Sequence, residues 1–212
     1  MVFFEEIVIV QSPFLGPFEC PWCGAYYGDF NTTAGYAHHV NTKQCVAVAV
    51  YCDGGVIGRN PSEVGGTWAW CTVNAAGEVL ERDSGVIEGL CTNNVSEFVA
   101  AVRALEHLPN KWRGQLCSDS AVTLGRLCAG WALQNLPPEW IERGARQLKR
   151  LGPLRPVLLQ GHPTKEELAE GVGKRNGYPV SVHNVWCDEE CGRQAVKYRE
   201  GLAAKAKGEH AA

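Results

Sequence analysis

The tightest constraint on this chain is the run Val46-Ala-Val-Ala-Val-Tyr-Cys-Asp53, followed at once by Gly54-Gly55. Residues of β-branched, aromatic and small apolar character leading up to an acid describe a strand buried on both faces. A carboxylate at the exit of such a strand is costly to bury without a partner, and a metal ion is the usual one. The two glycines let the backbone turn away sharply and let a ligand come close. The plain alternative is a surface Asp opening an Asp-Gly turn. Matching acids further along the chain decide between the two.

Length and charge bound the answer. At 212 residues the chain accommodates one well-buried α/β domain plus a small appendage. With 20 Lys and Arg against 23 Asp and Glu, the formal net charge is −3. That excludes a strongly basic nucleic-acid protein, so any polyanion contact must come from a local patch. The opening Met-Val-Phe-Phe-Glu-Glu has no basic region before its next apolar run, so no signal peptide is expected. Nothing approaches the roughly 20 apolar residues of a membrane span. The expectation is a cytoplasmic protein, monomeric and without membrane contact. Ten cysteines are many, yet without a secretion signal a disulfide framework is not expected. Cys52, Cys71, Cys91, Cys117 and Cys128 lie in apolar stretches and read as small buried hydrophobes. Cys187 and Cys191 read as reduced thiols near a helix start.

Residues 1–45 form their own compositional unit. Ile7–Val10 suits a short strand, and Ser12-Pro13 and Gly16-Pro17 break the chain after it. Cys20-Pro-Trp-Cys23-Gly24 is a CxxC knuckle, followed by His38-His39 and Cys45. A CxxC pair with a later His and Cys is the pattern of a structural zinc. Tyr36 stands three residues before His39, where a small zinc-finger helix places its core apolar residue. The expected ligands are therefore Cys20, Cys23, His39 (in preference to His38) and Cys45. The alternative is a pair of free thiols in an aromatic-rich lobe. Its charges are Glu5, Glu6, Glu19 and Asp29 against Lys43 alone. Phosphate binding depends on Lys and Arg, so the lobe reads as a fold-stabilising knuckle or a docking site for a protein partner.

From Val46 the pattern becomes regular. The Asp53 strand leads through a Gly-rich loop into Thr67–Val73, which alternates as a half-buried strand. Asn74–Gly77 then makes a hairpin turn into Glu78–Ile87. Thr92 caps a helix to about His107, with Phe98, Ala101, Val102 and Leu105 on one face and Pro109 as its stop. Gln115–Asp119 is a strand ending in a second acid, and Ser120 opens a helix to about Trp131. Pro137-Pro138 starts another helix to about Leu151. Its Arg143, Arg146 and Arg150 share one face, read either as solvated or as a duplex-backbone contact. Val157–Gln160 is a fifth strand, leading into Gly161-His162-Pro163. Thr164–Glu167 has the form of a capping box, and Gly173–Gly177 reads as a basic, flexible turn. A last helix, opened by His183–Asp188, runs to about Lys205. The expected domains are a knuckle lobe at 1–45, an α/β domain at 46–206 and a frayed tail at 207–212.

Four acids punctuate this order: Asp53, Glu97, Asp119 and Asp188. Parallel neighbouring strands lie about 4.8 Å apart, so Asp53 and Asp119 would meet at one sheet edge. Glu97, one turn into a helix over the sheet, can point at them. Clustered carboxylates repel one another unless divalent cations hold them. Two Mg²⁺ ions about 3.5–4 Å apart and sharing a carboxylate are the known arrangement for in-line phosphodiester displacement.

The motifs in register are Asp53-Gly-Gly with Gly58-Arg-Asn60-Pro and Gly65-Gly66; Thr92-Asn93-Asn94-Val-Ser-Glu97; Ser118-Asp119-Ser120; Gly161-His162; and Asn184-Val-Trp-Cys-Asp188. Across residues 46–205 this set resembles the type 1 ribonuclease H family. The resemblance implies a ribonuclease H-like α/β fold, a five-stranded mixed sheet with three antiparallel strands followed by parallel ones, flanked by helices. It implies an endonuclease that hydrolyses the RNA strand of an RNA–DNA hybrid and leaves 5′-phosphate and 3′-hydroxyl ends. Asp53 would bridge two Mg²⁺ ions, with Mn²⁺ as a substitute, and Glu97, Asp119 and Asp188 would complete the shells. His162 matches the family's mobile histidine, in preference to His183. Asn60, Asn93 and Asn94 match residues that read the minor groove, where 2′-hydroxyls distinguish RNA from DNA. Thr92 matches a residue that grips a DNA phosphate, and Ser120 is a further substrate-side candidate.

The chain departs from the family's pattern in three places. Ala121 stands where many members have a DNA-contacting Gln. The basic protrusion of some members is absent, since Gln134-Asn-Leu-Pro137 leads straight into the next helix. The loop between His162 and Asn184 is long. Two rival functions are another ribonuclease H-like nuclease, of exonuclease or resolvase type, and a non-catalytic hybrid-binding adaptor. The Thr-Asn-Asn-x-x-Glu helix start argues against the first, and the presence of all four acids against the second.

Overall fold

The computed structural model describes residues 47–209. The expected strand at Ile7–Val10 and the zinc ligands Cys20, Cys23, His39 and Cys45 lie outside the described residues. In chain order the elements are β1 (Ala49–Val56), β2 (Gly65–Val73), β3 (Val79–Glu88), α1 (Asn93–Glu106), β4 (Gln115–Ser118), α2 (Ala121–Cys128), α3 (Pro138–Leu151), β5 (Arg155–Leu158), α4 (Lys165–Glu170) and α5 (Val182–Glu209). The sheet order is β3-β2-β1-β4-β5. β1, β2 and β3 pair antiparallel, and β4 and β5 add in parallel to β1. This is the five-stranded mixed sheet that the family resemblance implies.

β1 does not end at Asp53. It continues through Gly54 and Gly55, which pair with Trp68 and Thr67 of β2, so the expected turn is absent. The glycines serve a packing contact instead. A Cβ on Gly54 would fall 2.2 Å from the Ser96 carbonyl carbon and 2.3 Å from the Glu97 nitrogen. Only a residue without a side chain lets α1 lie directly on β1 here. α1 then fills the space above the sheet: Val95, Phe98, Val102 and Leu105 join Val50, Cys52, Trp68 and Trp70 in the main core. Thr92 caps the helix as expected, its hydroxyl accepting from the Val95 amide at 3.3 Å.

The other face of the sheet is covered by α5. Cys187 and Cys191 pack on Ala69 and Cys71, with Tyr51 and Trp186 at the margin. β2 is therefore buried along its whole length, where alternation suggested one solvated face. Seven cysteines among the described residues are free thiols, and all but the half-buried Cys128 are buried, as small hydrophobes are. α5 continues to Glu209, into the stretch expected to fray. α2 is shorter than expected and stops at Cys128. Gly130 turns the chain with φ at 68° and Trp131 folds back onto Gly125.

Two cations of the basic face of α3 are spent on packing. The Arg143 guanidinium grips Glu106 with two bonds, at 2.8 and 2.5 Å, and lies over the Trp140 ring. Arg150 donates to the carbonyls of Leu105 and Leu108, which close the C-terminus of α1. These side chains tie α3 to α1.

Candidate active site

The four acids reach one end of the sheet from four elements. Asp53 stands in β1, on the face covered by α5, where the Cys191 thiol donates to its carbonyl at 3.4 Å. Glu97 lies in α1 immediately beyond the Ser96–Gly54 contact, so that contact sets its place above β1. Asp119 is the first residue after β4, beside β1 in the parallel ladder. Asp188 lies in α5, one residue past the buried Cys187.

Their electrostatics show the proximity. Asp53 is only 9% exposed. Burial pushes its carboxyl well above the usual range, and the charges of Asp119, Asp188 and Glu97 push it further, against the Gly54 amide donating to Oδ1 at 2.7 Å. Burial also raises Asp119, with Asp188 adding to the rise and His162 and Asn184 opposing it. Glu97 is raised by burial and by Asp119, opposed by a 2.5 Å hydrogen bond from the Ser120 hydroxyl. Among the described residues, no three His, Cys, Asp or Glu side chains as they stand are drawn together closely enough to share one ion. The donor set nonetheless fits a hard divalent cation. It is all carboxylate oxygen, mutually repelling, and the buried Asp53 carboxylate accepts only the Gly54 amide among the described residues.

One turn after β5 brings up the histidine. Gly161 packs against Asp119 so closely that a Cβ would lie 2.4 Å from Oδ2. The next residue, His162, takes a left-handed φ of 48° and puts Nδ1 3.3 Å from Asp188 Oδ2, with its side chain 80% exposed. His183 lies elsewhere: its ring stacks on Tyr51 at 5.1 Å, and burial lowers its pKa.

Beside the acids runs a cleft lined by Asn60, Pro61, Thr92, Asn93, Asn94, Arg126 and Asn135. A backbone bridge between Ser62 and Cys91, with both bonds at 2.8 Å, holds the Asn60 loop against the start of α1. The Ser62 hydroxyl donates to the Ile57 carbonyl and accepts from Val64 and Gly65, closing the loop. The Asn60 side-chain oxygen in turn accepts from the Asn93 amide at 3.4 Å. The expected Asn60, Thr92, Asn93 and Asn94 are thus brought together. Ser120 is placed differently. Its hydroxyl donates to Glu97 and accepts from the Thr123 amide as the cap of α2, so it serves the acid directly.

Three residues not singled out from the sequence belong to the site. Asn184, buried to 3% exposure, lies beside Asp119 and opposes the rise of its pKa. Arg126 donates to the carbonyls of Ala132 and Gln134, and so holds the segment carrying Asn135 at the cleft. For Asn184 a signal existed, since it opens the Asn184–Asp188 motif. Arg126 and Asn135 come together only through the fold of the segment between α2 and α3.

Comparison with known proteins agrees with this geometry. The RNase H family model matches residues 46–150. A ribonuclease H from Chlorobaculum parvum is 34% identical over 152 residues, covering 71% of this chain and 95% of that protein. Two solved structures share the fold. The N-terminal RNase H domain of a Mycobacterium tuberculosis protein, solved as a fusion with maltose-binding protein, has a TM-score of 0.50 and 14% identity, over 73% of this chain and 96% of that one. LC11-RNase H1, isolated from compost by a metagenomic approach, has a TM-score of 0.50 and 23% identity, over 70% of this chain and 95% of its own. With the family matched over most of the described domain, the chain belongs to the ribonuclease H family and is a ribonuclease H enzyme.

Proposed function

We propose that this enzyme hydrolyses the RNA strand of RNA–DNA hybrids, with two Mg²⁺ ions held by Asp53, Glu97, Asp119 and Asp188 and with Mn²⁺ as a substitute. The observation that carries this reading is the gathering of four carboxylates from β1, α1, the end of β4 and α5, at a cost in mutual repulsion, beside a cleft of amides and a hydroxyl. Bound there, the ions would supply an activated water and neutralise charge on the leaving 3′-oxygen.

The chain's own residues do the rest. Asp53, most buried of the four and acted on by the charges of the other three, would be the central carboxylate holding the ions. Ser120 orients Glu97 through its hydroxyl hydrogen bond, and the buried Asn184 amide steadies the Asp119 charge. His162, exposed and only loosely tied to Asp188, can swing to take or give a proton at Nδ1 and to help product leave. The Thr92 hydroxyl accepts from the Val95 amide, so its proton remains to donate to a DNA phosphate. Asn60, Asn93 and Asn94 are both donors and acceptors and suit 2′-hydroxyls and base edges in the minor groove. The products would carry 5′-phosphate and 3′-hydroxyl ends. We further propose that Cys20, Cys23, His39 and Cys45 hold a structural zinc in the 1–45 lobe.

The test is a cleavage assay with labelled hybrid, duplex DNA, duplex RNA and single strands, in Mg²⁺ or EDTA. Mg²⁺-dependent cutting of the RNA strand of the hybrid alone is expected. Cutting of duplex DNA, or digestion from strand ends, would instead place the enzyme with the exonucleases or resolvases. For the lobe, elemental analysis should find one zinc per chain, lost in Cys20→Ser. A metal-free wild-type protein would reject the site.

A further inference from the structure

The segment between β5 and α5 carries more structure than the reaction above uses. Glu167 of α4 is buried to 6% exposure. Its carboxylate accepts from the Thr164 amide on one oxygen, at 2.8 Å, and from Gln160 Nε2 and the Lys174 amide on the other, at 2.8 and 2.7 Å. These donors hold its pKa down at about 2. One anion therefore ties together the end of β5, the start of α4 and a hairpin over 171–180. The hairpin is closed by the Val172–Pro179 bridge, and the Gln160 amide donates to the Pro179 carbonyl at 3.0 Å. Gly173 packs on Gln160 with no room for a Cβ, which would fall 2.1 Å from Oε1. What the sequence suggests is a flexible turn is a braced platform.

The tip of this platform, Lys174-Arg175-Asn176-Gly177-Tyr178, is exposed at every residue. Lys174 pairs only with Glu170 among the described residues, at 3.4 Å and with both side chains more than half exposed. Such a pair contributes little and is readily exchanged. Arg175 makes no ion pair among the described residues. The stem is anchored next to the reaction: Gln160 is followed by Gly161, against which Asp119 packs, and then by His162. Arg126, the cation whose charge acts on Glu97, is held by the carbonyls of Ala132 and Gln134. The amide-lined cleft reaches the acids from the β1–β2 loop and α1. The hairpin is tied to the end of β5, the edge strand of the sheet, through Gln160 and Pro179.

We propose that the 171–180 hairpin is a phosphate-binding element for the strand being cut, with Lys174 and Arg175 contacting its backbone beyond the scissile bond. The proposal rests on the reading that an RNA–DNA hybrid is the substrate. Each phosphate neutralised by a cation releases counterions, so the log of affinity falls with log salt by about 0.7–0.9 per contact. The test compares the full-length wild type with the double variant Lys174→Ala, Arg175→Ala. Hybrid binding is measured in EDTA from about 50 to 200 mM salt, and cleavage kinetics in Mg²⁺. The double variant should bind roughly tenfold more weakly at low salt, with a salt slope shallower by about 1–2. KM should rise in step, with kcat within about twofold and the melting temperature unchanged. Arg146→Ala, on the exposed face of α3, should leave all of these unchanged. A double variant with wild-type affinity and salt slope would overturn the hairpin assignment and leave the proposed function standing. A wild type that neither binds nor cuts the hybrid would overturn both.

Discussion

Asp53 is held in a position that costs stability, buried and beside three other carboxylates. Its folded-state pKa is raised by burial and by three neighbouring carboxylates, and Asp119 and Glu97 are raised with it. The sign of the pH dependence follows. A native state with raised pKa values binds protons more tightly than the unfolded chain, so stability in EDTA falls as pH rises from the ordinary carboxylate range through the raised values, and levels off above them. Replacing Asp53 with Asn removes one of the repelling charges. In EDTA, chemical denaturation should show the variant more stable by about 1 kcal/mol and with a shallower pH dependence. Its hybrid cleavage should fall by at least about a hundredfold, the scale of removing a single group aimed at the transition state. Gly54 makes a different prediction. The Cβ of Gly54→Ala would meet the backbone of α1 at Ser96, not a yielding side chain. Urea denaturation should show a loss of about 1–3 kcal/mol or more, and activity should fall with it because Glu97 rides on the same turn.

At the scale of elements, the sequence was readable where a periodic pattern met a strong stop. The Thr92 cap, the α1 face, the Pro138 start of α3 and the capping box at Thr164 all lie where local chemistry puts them. It was least readable where a partner distant in sequence overrode a local signal. Gly54-Gly55 reads as a turn, yet pairing with Trp68 and Thr67 keeps it extended. β2 reads as half-buried, yet α5 covers its second face. The arginines of α3 read equally as a nucleic-acid face, because nothing in their spacing shows that Glu106 and the α1 carbonyls lie opposite. That difference can be measured. Arg143→Ala should cost about 1–2 kcal/mol in stability, as expected for a charge-assisted pair that is three-quarters buried. Hybrid KM and its salt dependence should not change. A rise in KM without loss of stability would return α3 to the substrate surface.

As a whole molecule the enzyme is a sheet whose one end collects four acids, near a cleft lined by Asn60, Thr92, Asn93 and Asn94 and a braced basic hairpin tied to the end of β5. Of the candidate site, the acids and the Asn60–Asn94 set were readable as single residues in a fixed order. Their supports were not, because Asn184, Arg126 and the Glu167 network act across contacts that only the folded chain creates. With a net charge of −3, the protein cannot rely on a general attraction for nucleic acid. Affinity should rest on a few local contacts, giving a modest salt slope. On the proposed function, divalent cations would bind the native state alone and should stabilise it, by about 2.7 kcal/mol at a hundred times the dissociation constant. Asp53→Asn should abolish most of that gain, as thermal melts with and without Mg²⁺ can show. The central claim is that this acidic cluster cuts the RNA strand of a hybrid. It is tested most directly by incubating purified wild type and Asp53→Asn with an end-labelled RNA–DNA hybrid in Mg²⁺ and resolving the products. Internal cuts in the RNA strand alone, with 5′-phosphate ends, are expected from the wild type and not from the variant. An intact hybrid with the wild type, or equal cutting by Asp53→Asn, would contradict it.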